Sequence, residues 1–320
     1  MSVVLVTPRS LRAGAPAVVR RLEAAVDEIR WNDLGRPLTA AELRERLDGV
    51  DGLVAGLDQV DASVFAAAPR LRVVARYGVG VDRVDLAAAG RHGVVVTSTP
   101  GANAAAVAEW TFALMLALCR PLVAADRAVR RGEWPVLKGR ELSGRTIGLL
   151  GLGRIGGLVA ERCTAFGCQV LAHDPFVRSA PRAAQLVGRD ELIARAEVLS
   201  LHMPLTEETR DSVDRPLLAA LPPGAVLVNT ARGELVDEQA LVWALEEGPL
   251  AGAALDALRQ EPPLPGHRLI GRDDVLVTPH AAPHTAEATL AMGQMAVGDL
   301  LAVLAGRSPL HPVALPEDHV

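Results

Sequence analysis

Lysine is nearly absent from this chain. Lys138 is the only one, and every other member of the 33 basic residues is an arginine. Schiff-base chemistry, or phosphate binding by a Walker-type lysine, would have to fall on that residue. Its setting, VLKGREL, reads as a loop and fits neither. Aromatic residues make up only 3% of the chain, which leaves few rings for stacking on bases. A formal charge of −5 also disfavours a polyanionic partner, so no nucleic acid is expected. Cysteine is limited to Cys119, Cys163 and Cys168. The number is odd and there is no metal-like spacing to histidine, so they read as reduced thiols of a cytoplasmic protein. No His/Asp/Glu grouping has ligand spacing, and no metal is expected. Long apolar runs are missing too. The longest, Ala104 to Cys119, is interrupted by Glu109 and is too short to span a bilayer, so no membrane partner is expected. The opening MSVVLVTPRS has no basic stretch before its apolar run and reads as a strand, not a signal peptide.

What the chain does have is apolar content and order. Half of its 320 residues are hydrophobic, enough for about two domains. Short Val/Leu/Ile-rich runs alternate with longer helical patterns, the pattern of parallel sheets covered by helices. Runs near Val3, Ile29, Val54, Val73 and Val95 predict five strands of one small doubly wound domain. A helix from about Asn103 to Cys119 follows, with Asn103 placed as its N-cap. Six further runs then appear: TIGLLG, CQVLAHD, EVLSLH, AVLVNT, LAGAALD and DVLVTPH. They match a nucleotide-binding doubly wound sheet. A last helix, about Thr285 to Ala305, is placed to return to the first domain and make it discontinuous.

The first strand of the second series runs directly into GLGRIG, with glycines at 151, 153 and 156. Gly151 permits a tight turn, Gly153 lets backbone approach a pyrophosphate, and Gly156 lets the helix pack close to the strand. The helix N-terminus supplies free N–H groups and a partial positive charge. Asp174 lies 18 residues past Gly156, at the end of the next strand. A carboxylate there accepts ribose hydroxyls and repels a 2′-phosphate, which points to NAD.

ELSGRTIGLLGLGRIG followed by HDPF resembles the cofactor half of the D-isomer-specific 2-hydroxyacid dehydrogenases. RYGVGVDRVDL, TPGANAAAVAEW, SLHMPLTEETR, NTARGELVDE, ALDALRQEPP and TPHAAPHT are similar to further motifs of that family, in the same order. The resemblance covers nearly the whole chain. It implies a Rossmann NAD-binding domain, residues 100–283, inserted in a discontinuous flavodoxin-like substrate domain, residues 1–99 and 284–320. It also implies a homodimer, a small 2-keto or 2-hydroxy acid as substrate, and Arg232, Glu261 and His280 as the catalytic set. Arg154 and Ile155 match residues lining the pyrophosphate, and Thr230 and Ala231 match contacts on the nicotinamide side. Asp256 matches a nicotinamide contact, with a plain strand-end cap as its other reading, and Asn103, read first as an N-cap, matches a position near the hinge where relatives place a substrate or cofactor contact. Val79 and Gly80 match the loop that holds the substrate carboxylate.

The same residues carry a chemical argument of their own. Arg232, Glu261 and His280 each follow a strand, where ligands of such sheets bind. Reducing a 2-keto acid requires holding a carboxylate, polarising and protonating a ketone, and delivering hydride. Arg232 forks onto the carboxylate and donates to the ketone oxygen. His280 is the general acid, and Glu261 on its other ring nitrogen sets the tautomer and favours the imidazolium. Backbone N–H groups of Val79 and Gly80 hold the carboxylate from the other side. Of the other histidines, His284 is a competitor four residues on, and His202 is placed beside the cofactor. His92, His267, His311 and His319 are peripheral.

Three departures from the family bear on substrate. Pro283 stands in HAAPHT, where relatives often carry Ile-Gly or an aromatic residue. VAGLDQVD lacks the arginine that phosphoglycerate enzymes place there, which disfavours that substrate unless another arginine substitutes. Val79 stands where phosphite-oxidising relatives use lysine. Glu261, in turn, argues against a formate dehydrogenase, where glutamine is found. The alternative function on the same fold is an NADH-sensing regulatory binding protein.

Overall fold

The computed structural model describes residues 1–179 and 183–315. The chain divides into two compact units, Met1–Asn103 with His284–Val320, and Ala104–Pro283.

Unit 1 holds a five-stranded parallel sheet. Its strands are β1 (Val3–Val6), β2 (Glu28–Trp31), β3 (Gly52–Ala55), β4 (Val73–Arg76) and β5 (Val95–Thr97), in the order β2-β1-β3-β4-β5. β1, β3 and β4 are buried along their whole length, as continuous apolar runs in a sheet covered on both faces must be. The covering helices start where short polar side chains cap them. Thr39 and Glu42 form a reciprocal capping box, and Asp61 and Asp85 accept from first-turn amides. The helix Ala286–Leu304, capped by Thr285, belongs to this unit and packs on β3, β4 and β5. It has the length and hydropathy to cross a bilayer, which the sequence reading attributed to no segment. Half of it is buried, with Met292, Ala296 and Leu300 in the core of unit 1. Asp299, toward its C-terminal end, is tied by Leu310 N at 2.7 Å and His311 Nδ1 at 2.9 Å.

Unit 2 holds a seven-stranded parallel sheet. Its strands are β6 (Thr146–Leu150), β7 (Gln169–His173), β8 (Gln185–Leu186), β9 (Val198–Leu201), β10 (Ala225–Asn229), β11 (Leu250–Leu255) and β12 (Val275–Val277). The order is β12-β11-β10-β9-β6-β7-β8, with apolar clusters on both faces. Six of these strands are the six predicted runs. The seventh, β8, is two residues long and begins with an exposed glutamine, so it carries no apolar signal. It is a strand because Leu171 of β7 pairs with Gln185.

The register of unit 2 matters for function. Asn229, Leu255 and Val277 lie in one row across β10, β11 and β12. The loops that follow these strands therefore leave the sheet side by side, at strand spacings of about 4.8 Å.

Candidate active site

The loop after β6 is shaped by its glycines. Gly151 has φ +96°, and a Cβ there would lie 2.6 Å from the His202 backbone carbonyl group. That left-handed conformation beside another chain segment suits glycine alone. At Gly156 a Cβ would lie 2.3 Å from the Gly151 carbonyl oxygen. Gly156 thus serves the fit of the helix against the turn, a closer contact than the expected packing on the strand. At Gly153 the same construction meets nothing within 4 Å. This open space fronts the helix Arg154–Ala165, whose cap Gly153 makes no side-chain hydrogen bond. The amides of Gly153, Arg154, Ile155 and Gly156 have no protein acceptor among the described residues. Free N–H groups at a twelve-residue helix N-terminus, with room in front of them, fit a pyrophosphate.

Asp174 follows β7, as expected, but its carboxylate is already engaged. Oδ2 accepts from Leu152 N at 2.8 Å and Oδ1 from Phe176 N at 2.9 Å. One hydrogen bond per oxygen leaves further lone pairs for a ribose. The same bonds fix the glycine turn to the end of β7, a role not visible in the motif. His202, just after β9, lies behind the turn, with Nε2 2.9 Å from Ser200 Oγ. Burial pushes its pKa down to about 4, so it is neutral near pH 7.

The loops after β10, β11 and β12 carry the other candidates. Asn229, fully buried, accepts from Ala231 N at 3.0 Å and donates to the Arg232 carbonyl at 2.7 Å. Arg232 NH1 donates to the Ala231 carbonyl at 2.8 Å. The Ala231 amide is thus engaged within the loop, while Thr230 Oγ1 meets Thr111 Oγ1 at 2.8 Å. A Cβ at Gly233 would lie 2.0 Å from the Leu258 carbonyl carbon, so only glycine lets the Arg232 loop lie against the loop after β11.

His280 and Glu261, nineteen residues apart, meet. Nδ1 is 3.2 Å from Oε1 and 3.1 Å from Oε2, and both side chains are about four-fifths buried. Glu261 Oε1 also accepts from Leu258 N at 3.0 Å. His280 has φ +53°, an uncommon conformation for a residue with a Cβ. Asp256 accounts for its persistence. This carboxylate is 2% exposed and accepts from the Thr278 hydroxyl, from Ala281 N at 2.8 Å and from Ala282 N at 2.9 Å. His280 N donates to the Asp256 carbonyl at 2.9 Å. Asp256 therefore braces the histidine loop, which favours the strand-end cap of its two readings.

In unit 1, Val79 is exposed, and the amides of Val79 and Gly80 have no protein acceptor among the described residues. Beneath them lies buried Arg76, whose NH1 donates to the Tyr77 carbonyl and would clash at 2.8 Å with a Cβ on Gly78. Sequence reasoning passed over Arg76, because an arginine at the end of an apolar strand reads as an exit to solvent. Asn103 does not cap its helix in the expected way. Its Oδ1 is buried and accepts no hydrogen bond. His319 lies outside the described residues. Among the described residues, no group of three His, Cys, Asp or Glu is arranged for a metal. Burial raises all three thiols, with Cys163 pushed up to about 12, which disfavours a cysteine nucleophile.

The family model of the D-isomer specific 2-hydroxyacid dehydrogenase NAD-binding domain matches residues 112–282. A glyoxylate reductase of Thermofilum pendens is 41% identical over 284 residues, covering 85% of this chain and 84% of that protein. A D-3-phosphoglycerate dehydrogenase of Archaeoglobus fulgidus is 40% identical over 92% of this chain, but the match spans only 58% of that protein. A crystal structure of a Thermus thermophilus protein superposes with a TM-score of 0.88 at 41% identity, covering 98% of this chain and 100% of that one. An NADPH-dependent glyoxylate/hydroxypyruvate reductase of Sinorhizobium meliloti, crystallised with NADP and malonate, superposes with a TM-score of 0.84 at 32% identity, covering 98% and 97%.

Proposed function

The chain belongs to the D-isomer-specific 2-hydroxyacid dehydrogenase family, and on that premise we propose that it interconverts a small 2-keto acid and its D-2-hydroxy acid with NAD(H). The observation that carries this reading is the Glu261–His280 pair, set on the strand row that also carries Arg232. The relatives named for their activity are dehydrogenases and reductases, so a purely NADH-sensing regulatory protein is not favoured.

Gly151, Gly153, Arg154, Ile155 and Gly156 hold the pyrophosphate, Asp174 the ribose, and the loops at Thr230–Ala231 and Asp256 bound the nicotinamide side. The bound cofactor supplies or accepts the hydride. In reduction, the Arg232 guanidinium forks onto the substrate carboxylate and polarises the ketone. In unit 1, the amides of Val79 and Gly80, with no protein acceptor among the described residues, are donors of the kind a carboxylate accepts. His280, charged, delivers a proton from Nε2 to the ketone oxygen, while Glu261 holds Nδ1–H and stabilises the charged ring. In oxidation, neutral His280 takes the proton back. No metal is assigned a role, because Arg232 and His280 together polarise the carbonyl.

A homodimer is part of the proposal. In unit 2, Leu122, Val129, Trp134, Val136 and Leu137 are exposed apolar side chains on one helix and the segment after it. Surfaces of this kind mark protein contacts. A cytoplasmic location is also proposed, on the three unpaired thiols.

The test is a screen of 2-keto acids, including glyoxylate, hydroxypyruvate and pyruvate, followed by loss of NADH absorbance. At least one is expected to be reduced, with the rate lost in His280→Ala. No turnover across the panel in either direction, with NADH bound, would sink the reading and favour the regulatory one.

A further inference from the structure

The carboxyl ends of β1 and β2 frame a solvent-open cavity of about 350 Å³ that the proposed chemistry does not use. Its lining includes Thr7, Arg9, Arg12, Trp31, Asn32 and Asp33. Arg9 lies across the turn at Gly35, its NH1 3.5 Å from the place of a Cβ there. It makes no ion pair or side-chain hydrogen bond among the described residues. The Trp31 indole N–H likewise has no protein acceptor among them. Arg12 stands over the Trp31 ring at 4.9 Å, and its one ion pair, to the well-exposed Asp33, is long at 3.6 Å. Asn32 is spent on the loop itself, bonding Leu34 N and the Arg36 carbonyl. The cavity thus offers an uncommitted guanidinium and an indole donor, with a second guanidinium held by a weak surface pair.

Next to it, the loop after β3 is closed to anions. Asp58, 2% exposed, accepts from the Thr7 hydroxyl, from Gly56 N at 2.8 Å and from Leu38 N at 2.7 Å. Val6, Val54 and Ala75 are in one row, so β1 ends level with β4 and two strands away, roughly 10 Å. The free amides of Val79 and Gly80 follow β4. An extended acid and a long arginine side chain close such a gap together.

We propose that this cavity binds an oxyanion group, carboxylate or phosphate, with Arg9 as its principal contact and Arg12 and Trp31 beside it. One source is the far end of the substrate, which makes Arg9 a specificity-determining residue for 2-keto acids with a second anionic group. This form rests on the dehydrogenase reading. The other source is a free anion bound independently of turnover.

The experiment compares wild type with Arg9→Gln, an exposed position whose replacement leaves the core intact. Two substrates are used, glyoxylate and 3-phosphohydroxypyruvate, with inorganic phosphate as a separate probe in thermal melts. For a substrate-borne group, Arg9→Gln lowers kcat/KM for the phosphorylated acid about 10-fold or more, the loss expected for a charged hydrogen bond, and leaves glyoxylate within about twofold. For a free anion, both kcat/KM values hold, but the phosphate-induced rise in Tm disappears in Arg9→Gln. Either outcome supports the site. Equal losses on both substrates, or no change in kinetics and in the phosphate melt, overturn it. Failure of every keto acid to turn over in wild type counts against the dehydrogenase reading instead, and the melt still tests the site.

Discussion

The two sheets end in loops of different character. In unit 2, the strand ends with candidate groups are braced by buried or partly buried polar side chains. Asn229 stands behind Arg232, Asp256 behind His280, and Asp174 behind the glycine turn. In unit 1, the loop after β4 presents backbone amides at Val79 and Gly80, supported from below by Arg76. The contrast separates two tasks. Moving a proton needs one side chain held in one geometry, and that geometry needs its own scaffold. Holding a carboxylate needs only N–H groups aimed the same way, which a loop supplies with any side chain.

The largest expected effect tests that division directly. His280→Ala removes the proposed proton donor and should lower kcat by ~10²–10⁴-fold, with little change in KM. Arg232→Ala should raise KM as well as lower kcat, since it loses the proposed bidentate carboxylate contact. Val79→Ala keeps its amide and should stay within about threefold of wild type. If steady-state kinetics found Val79→Ala as damaged as Arg232→Ala, the contrast between side chain and backbone would collapse.

Asp256→Ala should come next. Each amide left without its acceptor costs about 1–3 kcal/mol, so Tm should fall. The histidine loop, no longer held at its left-handed residue, should lose turnover more than NADH affinity. Undiminished kcat in a destabilised Asp256→Ala would mean that the brace serves the fold alone.

A pH titration addresses the support behind the glycine turn. Burial disfavours protonated His202, so the unfolded chain takes up this proton more readily than the folded one. The contribution is full above the ordinary histidine pKa of about 6.5 and is lost as pH falls toward about 4, by at most about 3 kcal/mol. His202→Gln should flatten the fall of Tm across that window. An unchanged slope would place the acid sensitivity elsewhere.

The smallest effect concerns cofactor choice. Asp174→Ala should weaken NADH about 10-fold and narrow its advantage over NADPH, measured as the ratio of kcat/KM values. Equal use of both cofactors by the unaltered enzyme would remove Asp174 from the ribose.

Particular residues show how far the chain could be read unaided. Most strands of unit 1 and six of unit 2 were legible because a strand buried on both faces is a continuous apolar run, while half-buried β2, EIRW, showed only Ile29 and Trp31. β8 was not, since pairing alone makes it a strand. The glycine turn was legible in spacing, but the engagement of Asp174 by Leu152 was not, because that bond joins two strand ends 22 residues apart. The cap expected of Asn103 failed, since local propensity does not say which way a side chain turns once its surroundings are packed.

The sequence by itself determined the order of elements and the glycine positions of the turn after β6, and it put forward Arg232, Glu261 and His280 as candidates, because local periodicity and residue chemistry are written along the chain. Only the tertiary structure decided that Glu261 meets His280, that Asp256 braces the loop between β12 and the histidine, and that Arg9 is left uncommitted beside Trp31. The physical reason is register. Residues far apart in the chain become neighbours when parallel strands align their ends, and that alignment is set by the packing of whole sheets.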